Sequence, residues 1–346
     1  MKTTLISALI LSWFTLMVPK TQPMAQASVA IPQQEEWTDH GKIIDSGAKG
    51  DWDLYLWGGF ANSVVQKDGV YYLYYQGSNG YDDTEGTVTY RAIGVATSQD
   101  GINFTKYQSN PVLTWFPNDH LEEGAVSAAA SLSPEGEVIL YYGANTWLNG
   151  SLVNADGRLA VSPDGLNFSD AGKVLDHKDG SIWGMGDELF PIIAFSDNGS
   201  WYVYYIPNGV PQGGLLGVAW GRDKGKLENS AAVMRGRDNV PVWGQGGYAK
   251  IGQGSYALFT SNSRDRGGSV IQARTVSLDK PYLLSAPVAE YRFEDVSLAT
   301  VYLDRARNKW FMYYRSADHN WYGVKTAPVV FTNDNSEFVF LPQLKH

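Results

Sequence analysis

Residues 67–75 read Lys67-Asp68-Gly69-Val70-Tyr71-Tyr72-Leu73-Tyr74-Tyr75, a tight-turn dipeptide followed by an alternating aromatic and aliphatic run. Asp-Gly favours the short turns of β-hairpins, and tyrosine and β-branched residues favour extended strands. The stretch therefore predicts a turn that leads into a buried strand. It also provides a pattern with which the rest of the chain can be compared.

Four further stretches repeat this turn and aromatic strand, at residues 134–142, 197–205, 252–259 and 307–314. Each of the five is preceded by an apolar strand, at residues 61–66, 125–132, 189–195, 248–251 and 299–303, and followed by further strands. Four-stranded units repeated at roughly 50–65 residues are typical of propeller blades. We therefore predict an all-β fold, a five-bladed β-propeller with four antiparallel strands per blade. The alternative, a β-sandwich, does not require five copies of one unit.

The composition agrees with a turn-rich β-protein and argues against several other classes. The 346 residues include 12 Trp, 21 Tyr, 13 Phe and 37 Gly, but no Cys. Disulfide scaffolds, thiolate metal sites and cysteine nucleophiles are therefore excluded. The net charge of −9, with no basic stripe, argues against a nucleic-acid partner. The sequence also lacks a Gly-x-Ser-x-Gly nucleophile motif and any histidine pair with metal-ligand spacing.

The N-terminus has the features of a secretory signal. Lys2 precedes an apolar run at residues 5–18, and Ala25-Gln26-Ala27 matches a signal-peptidase site, with Ser28-Val29-Ala30 as a second one. The run is shorter than the about 20 residues of a membrane span, so an uncleaved anchor is the weaker alternative. We predict a signal peptide at 1–27, an N-terminal arm at 28–40, a single propeller domain at 41–335 and a C-terminal tail at 336–346. The protein is then secreted or periplasmic, without a membrane anchor after cleavage, and its oligomeric state is unassigned.

The predicted fold sorts the loops onto two faces. The turns between first and second strands, and between third and fourth strands, lie on one side, which we call the turn face. Second-to-third loops and connections between blades lie on the other side, which we call the loop face. Turn-face loops are short and built on Asp-Gly or Asn-Gly pairs. Asp68, Asp100, Glu135 and Asp164 are therefore predicted to build turns away from the site.

The loop face is longer and chemically richer than the turn face. Its segments carry Trp, Asn, Asp and Arg, and loops that a scaffold presents together often form binding sites. Aromatic faces stack on sugar rings, and planar polar groups bind paired hydroxyls. The pattern predicts a carbohydrate substrate or ligand. Trp147, Trp183 and Trp243, from three different blades, are predicted to line the central funnel.

Over about residues 40–330 the chain resembles the five-bladed propeller glycoside hydrolases of family 43 and its arabinanase relatives, and families 32 and 117. The resemblance rests on the blade pattern and on the phrase that runs from Ser63-Val64-Val65 through Asp68-Gly69 to Tyr74-Tyr75-Gln76. It implies three acidic residues around the funnel, each at or just before a blade's first strand. Blade 1 supplies a base or nucleophile, blade 2 an acid that tunes a pKa, and a later blade the general acid.

Transferred to this chain, the resemblance implies Glu188 as the general acid, with Asp187 as its alternative. Adjacent residues of an extended chain point to opposite faces, so only one of the two can face the funnel. Glu123 is the second funnel acid, preferred over its neighbour Glu122. In blade 1 Asn62 stands at the family's acidic position and cannot act as a base, which leaves the upstream Asp53 as the candidate base. Glu294 or Asp295 is a reserve carboxylate.

The remaining loop-face candidates are predicted to bind substrate. They are Trp57, Asn62, Trp147, Trp183, Trp243, Arg264, Arg266 and His319. Arg264 and Arg266 are spaced to converge on a carboxylate or sulfate of a charged sugar, or alternatively to pair with local acids. No cofactor is required. The resemblance implies at most a structural calcium ion, near His319 in the axial channel.

These observations predict an exported glycoside hydrolase that cleaves a plant or algal polysaccharide or oligosaccharide. A carboxylic acid would protonate the leaving oxygen and a second carboxylate would activate water or attack the sugar. The likeness to family 43 implies inversion. The alternative is a non-catalytic carbohydrate-binding propeller, and a lyase or a glycosyl transferase on the same scaffold is a further one.

Overall fold

The computed structural model describes residues 27–56, 62–80, 91–114, 122–148, 151–179, 182–184, 188–208, 215–235, 238–239, 246–263, 269–294, 296–318 and 320–332. Over these ranges it is almost entirely β-structure, with a single short 3-10 helix at Gln34–Glu36. The predicted all-β class is therefore confirmed. Within the described ranges there is no helix of the length and apolarity needed to cross a membrane.

The strands in chain order are β1 (Ser28–Val29), β2 (Thr38–Asp45), β3 (Tyr55–Leu56), β4 (Asn62–Lys67), β5 (Val70–Ser78), β6 (Arg91–Ser98), β7 (Thr105–Lys106), β8 (Glu122–Leu132), β9 (Val138–Leu148), β10 (Ser151–Ser162), β11 (Ser169–Leu175), β12 (Glu188–Asp197), β13 (Ser200–Asn208), β14 (Gly217–Gly221), β15 (Asn229–Ala232), β16 (Met234–Arg235), β17 (Asp238–Asn239), β18 (Gly246–Gly252), β19 (Ser255–Ser263), β20 (Ser269–Ser277), β21 (Ala289–Arg292), β22 (Val296–Asp304), β23 (Lys309–Ser316), β24 (Trp321–Pro328) and β25 (Phe331–Thr332).

The strands form five antiparallel groups. Groups 1 to 4 are β4–β7, β8–β11, β12–β15 and β18–β21, and group 5 is β22–β24 with β2 as its fourth strand. A single parallel pair, Arg91 with Gly124, joins groups 1 and 2. Short pairs add β3 to β5, β1 to β25 and β16 to β17. The five aromatic runs form the second strands, and the apolar runs before them form the first strands, as the sequence predicts.

Tyrosines of the second strands connect four of the five groups to the next one. Their buried hydroxyls donate hydrogen bonds to carbonyl oxygens in the turn between the third and fourth strands of the following group. The pairs are Tyr74 with Gly165, Tyr141 with Lys224, Tyr204 with Pro281, and Tyr313 with Gly101. The last pair joins group 5 to group 1. The rings of each aromatic run therefore contribute apolar surface to the core, and their hydroxyls bond to the next group.

The first strands of the five groups contact one another in cyclic order. Strand β4 contacts β8, β8 contacts β12, β12 contacts β18, β18 contacts β22, and β22 contacts β4. Five apolar clusters lie one between each pair of successive groups, including group 5 and group 1. Residues of all five first strands line a cavity of about 150 Å³, with Gln66, Ser131, Ser196, Tyr248 and Tyr302 among them.

The N-terminal segment completes group 5. Strand β2 pairs antiparallel with β24, and it crosses the predicted border between arm and propeller at residues 40 and 41. Ile44 of β2 is buried between groups 5 and 1. Val29 and Trp37 are buried in the cluster between groups 4 and 5. Residues from both ends of the described chain thus meet in one sheet.

Candidate active site

Three predicted positions lie at the loop-face ends of neighbouring first strands. Asn62 begins β4, Glu123 is the second residue of β8, and Glu188 begins β12. Their backbone partners in the second strands are Tyr75, Thr146 and Asn208 respectively. Because β8 packs between β4 and β12, the main chain brings these three positions around one side of the axis. Their side chains fall outside the description.

Most of the other predicted site residues lie outside the described residues. Trp147 is placed only by its main chain, which pairs with Leu152 and Glu122. The alternative acid and five predicted substrate-binding residues are not described, namely Asp187, Trp57, Trp243, Arg264, Arg266 and His319. Their assignments therefore stay predictions.

Asp53 is described in full, and it lies in a buried ion pair. Its Oδ2 is 2.6 Å from Nζ of Lys106 and accepts a hydrogen bond from the Tyr75 hydroxyl at 3.1 Å. Asn110 donates to the same hydroxyl oxygen. The residue is only 4% exposed and contacts side chains of the second and fourth strands of group 1. These contacts suit a structural ion pair better than a base that activates a substrate water.

Replacing Asp53 by Asn is expected to lower the free energy of unfolding by about 1–3 kcal/mol, the scale of a lost charge-assisted hydrogen bond. The rate constant kcat should stay within about threefold of wild type. Urea unfolding and initial rates measure the two effects. Asp45→Asn, which removes an exposed pair with Lys42, is the matched control and should cost less than about 1 kcal/mol. A loss of kcat above about 100-fold at unchanged stability would identify Asp53 as the base.

Trp183 is the one predicted funnel tryptophan whose side chain is described. Its main-chain N–H donates to Oγ of Ser230 at 2.8 Å, and its carbonyl oxygen accepts from the Tyr205 hydroxyl at 2.7 Å. The ring is half-buried in the connection from β11 to β12. The contact with Ser230 places it beside the outermost strand of group 3. This position fits the outer wall of the loop face better than the central funnel that Trp183 was predicted to line.

Polar side chains are buried near the loop-face ends of the second strands. Gln76, Asn145, Thr260 and Arg315 are each less than a tenth exposed. Nε of Arg315 donates to Oγ of Ser297 at 2.9 Å. Arg315 follows Tyr313-Tyr314 as Gln76 follows Tyr74-Tyr75, so comparing the repeats could have found this arginine. Buried polar groups at one end of an apolar barrel of strands are typical of a ligand site.

Ser127 links three groups beside the predicted acids. Its φ of 53° is in the left-handed region, and the register of β8 against β9 shifts at this point. Its N–H donates to Oε1 of Gln76 at 3.2 Å, and its hydroxyl donates to the carbonyl oxygen of Pro191. A serine in this conformation is costly, and outside turns such strained residues cluster at active sites and ligand clamps. No sequence signal predicts this conformation of Ser127, because its neighbours have the pattern of an ordinary apolar strand.

A second polar cluster joins β10 to the connection after β11. The carboxylate of Asp156 accepts from the main-chain N–H of His177 at 3.1 Å and lies 2.7 Å from Nδ1 of the same residue. Nζ of Lys173 is 2.9 Å from Asp156 and 3.0 Å from Asp176. Burial alone raises the pKa of Asp156, but the hydrogen bonds from His177 and Lys173 outweigh it and leave the pKa below its usual value. An ionised carboxylate only accepts, so Nδ1 of His177 carries a proton.

This cluster does not fit a metal ion. Asp156, Asp176 and His177 form the one group of potential ligands found among the described residues. The Lys173 ammonium already contacts both carboxylates, where a cation would sit. The cluster is therefore a buried pair of Asp156 and His177 that Lys173 supports. A structural calcium ion stays a prediction.

The turn-face acids build turns, as predicted. Asp100 and Asp164 each accept hydrogen bonds from main-chain N–H groups two and three residues further along. The N–H and side chain of Asn167, together with the N–H of Leu166, hold the pKa of Asp164 well below its usual range. Asp68 lies in the turn between β4 and β5 with a φ of 51°. Such turns are local, which explains why sequence alone could identify them.

No family model and no curated protein matches the sequence. Several solved structures share the fold. A family 32 β-fructofuranosidase from Bombyx mori is 16% identical, with a TM-score of 0.55 over 84% of this chain and 62% of that one. A thermostable family 43 glycoside hydrolase is 14% identical, with a TM-score of 0.53 over 81% and 94%. An N-acetylgalactosamine deacetylase from F. plautii is 13% identical, with a TM-score of 0.54 over 82% and 95%. The likeness confirms the predicted resemblance to the propeller glycoside hydrolases.

Proposed function

We propose that the five groups are the four-stranded blades of one propeller and that its loop face hydrolyses glycosidic bonds. The contacts of β4, β8, β12, β18 and β22 around one axis support the blade assignment. The apolar cluster between groups 5 and 1 supports closure of the ring. The fold shared with glycoside hydrolases of families 32 and 43 supports the reaction.

The chemistry assigns one role to each of two carboxylates. Glu188, at the start of β12, protonates the leaving oxygen of the glycosidic bond. Glu123, at the start of the neighbouring β8, activates a water on the opposite face of the sugar. This arrangement inverts the anomeric centre and requires the carboxyl groups to lie roughly 6.5–9.5 Å apart. Asp53 keeps its ion pair with Lys106 and has a structural role.

One observation carries the proposal. Two glutamate positions implied by the resemblance lie at the loop-face ends of first strands that pack directly against each other. Further along β8, the strained Ser127 bonds to the buried Gln76 and to Pro191 and so ties groups 1, 2 and 3 together. The substrate we propose is a plant or algal polysaccharide or one of its fragments. The route to it is export after removal of residues 1–27.

A panel of oligosaccharides and aryl glycosides, followed by ¹H NMR, tests the proposal. We expect cleavage of at least one glycan, and the first-formed reducing end should have the opposite anomeric configuration to the substrate bond. Retention of configuration would overturn the proposed roles of the two glutamates. Absence of cleavage together with binding would overturn hydrolysis itself.

The alternative is a propeller that binds carbohydrate without cleaving it. Asn62 favours this alternative because it replaces the acid that the resemblance implies for blade 1. The deacetylase with the same fold shows that this scaffold also carries another reaction. Calorimetry with the same glycans distinguishes binding alone from turnover. If Arg264 and Arg266 face the funnel, uronic or sulfated glycans should bind more tightly than neutral ones.

A further inference from the structure

We propose that His177 is a substrate-binding residue whose Nε2 accepts a hydrogen bond from a sugar hydroxyl, one or two units away from the cleaved bond. The inference rests on the proposed function and defines a further subsite on the outer wall of blade 2. It is carried by the geometry of the pair that His177 forms with Asp156. It uses none of the residues that the resemblance singles out.

The connection that carries His177 lies on the loop face. It leaves β11 after Leu175 and leads to β12, whose first residue is Glu188. The half-buried Trp183 belongs to the same connection. His177 therefore shares a face with the proposed catalytic glutamates and with an aromatic ring that can stack on a sugar.

The imidazole is held in place without the use of Nε2. The Asp156 carboxylate receives both the main-chain N–H and Nδ1 of His177, and it is itself 2% exposed and paired with Lys173. Nε2 has no hydrogen-bond partner within the described part of the chain. Nδ1 donates to the Asp156 carboxylate, and in this Nδ1–H tautomer of the imidazole Nε2 is the acceptor nitrogen. Proteins commonly bind one ring nitrogen of a histidine to a carboxylate or carbonyl. This contact orients the ring so that the other nitrogen points at a ligand.

The strand register of blade 2 sets the distance between the Asp156–His177 pair and the proposed reaction centre. Asp156 pairs with Ala144, and Ala144 pairs with Ala125, two residues after Glu123. Two strand spacings separate Asp156 from the first strand, or about 10 Å. That distance exceeds the span of roughly 6.5–9.5 Å between the carboxyl groups of an inverting enzyme. The hydroxyl at His177 therefore belongs to a neighbouring sugar unit.

The charges around the ring favour a neutral ligand. The groups that face it are the carboxylates of Asp156 and Asp176 and the ammonium of Lys173, which together leave one negative charge. A hydroxyl donates a hydrogen bond to Nε2 without bringing a second negative charge into this site. A carboxylate or sulfate would be repelled.

The matched variants are His177→Asn and His177→Gln. The asparagine amide reaches the position of Nδ1 and keeps the bond to Asp156, but it removes Nε2. With an oligosaccharide of three or more units, His177→Asn should raise KM about three- to tenfold, the scale of one neutral hydrogen bond. With an aryl glycoside of a single sugar, kcat/KM should stay within about twofold of wild type.

His177→Gln, which loses the bond to Asp156, should lower Tm more than His177→Asn does. Equal effects of His177→Asn on both substrates would overturn the inference.

Side-chain ¹H–¹⁵N NMR separates this inference from the proposed function. The chain has five histidines, and the His177→Asn spectrum assigns the signal of His177. The free protein should show a proton on Nδ1, and adding a neutral oligosaccharide should shift the Nε2 resonance. Cleavage of that glycan without such a shift overturns the subsite and leaves the function in place. A panel in which no glycan is cleaved and none shifts any signal overturns both.

Discussion

Replacing Glu188 by Gln is expected to lower kcat by about 10²- to 10⁴-fold, the contribution of a positioned general acid. Glutamine keeps the shape of the side chain but cannot give a proton to the leaving oxygen. KM and Tm should therefore change little. Initial rates on the cleaved glycan and a thermal melt measure the three quantities.

The leaving group provides the internal control for this variant. A dinitrophenyl glycoside needs no protonation when its bond breaks, so the loss in Glu188→Gln should shrink to less than about tenfold. Asp164→Asn is the matched control, because its carboxylate is bound within a turn-face turn. It should leave kcat within about threefold. Equal losses with both leaving groups, or a loss above about 100-fold in Asp164→Asn, would contradict the assignment.

A chain that starts at Ser46 is expected to show no cooperative unfolding transition. The deletion removes β2, leaves the edge of β24 unpaired, and takes away the buried Val29, Trp37 and Ile44. Burial of three such side chains contributes roughly 5–9 kcal/mol. A folded domain of ordinary stability has only about 5–15 kcal/mol in total. Circular dichroism during a thermal melt measures the result.

A longer chain and an added peptide serve as controls for this deletion. A chain that starts at Ala27 keeps β1 and β2 and should unfold cooperatively at the wild-type Tm. A synthetic peptide of residues 27–45, added to the shortened chain, should restore a transition because it can pair with β24. A shortened chain with a Tm within about 5 °C of wild type would show that β2 does not close the propeller.

The strands and turns of this protein could be predicted from sequence because their signals are local. An Asp-Gly or Asn-Gly turn and a period-two aromatic run act over a few residues, so the second strands β5, β9, β13, β19 and β23 stand where the five runs predict them. The same locality made Asp100 and Asp164 recognisable as turn residues. Repetition of these signals five times then predicted the all-β class.

The contacts that the sequence did not reveal join residues far apart in the chain. Strand β2 carries no turn and aromatic run, and its pairing with β24 spans nearly the whole protein. Asp53 was predicted to be a base, but Lys106, 53 residues away, pairs with it. Nothing in the spacing of Asp156 and His177 predicted that they would form a buried pair.

Local patterns therefore determined the elements, and packing between elements decided the chemical role of each side chain. A carboxylate is a base, an acid or half of an ion pair according to the groups that surround it, because neighbouring charge and burial set its ionisation. Those neighbours arrive from other strands and from connections distant in sequence. Ser127 is the clearest case, because its bonds to Gln76 and Pro191 form only when three groups of strands pack together.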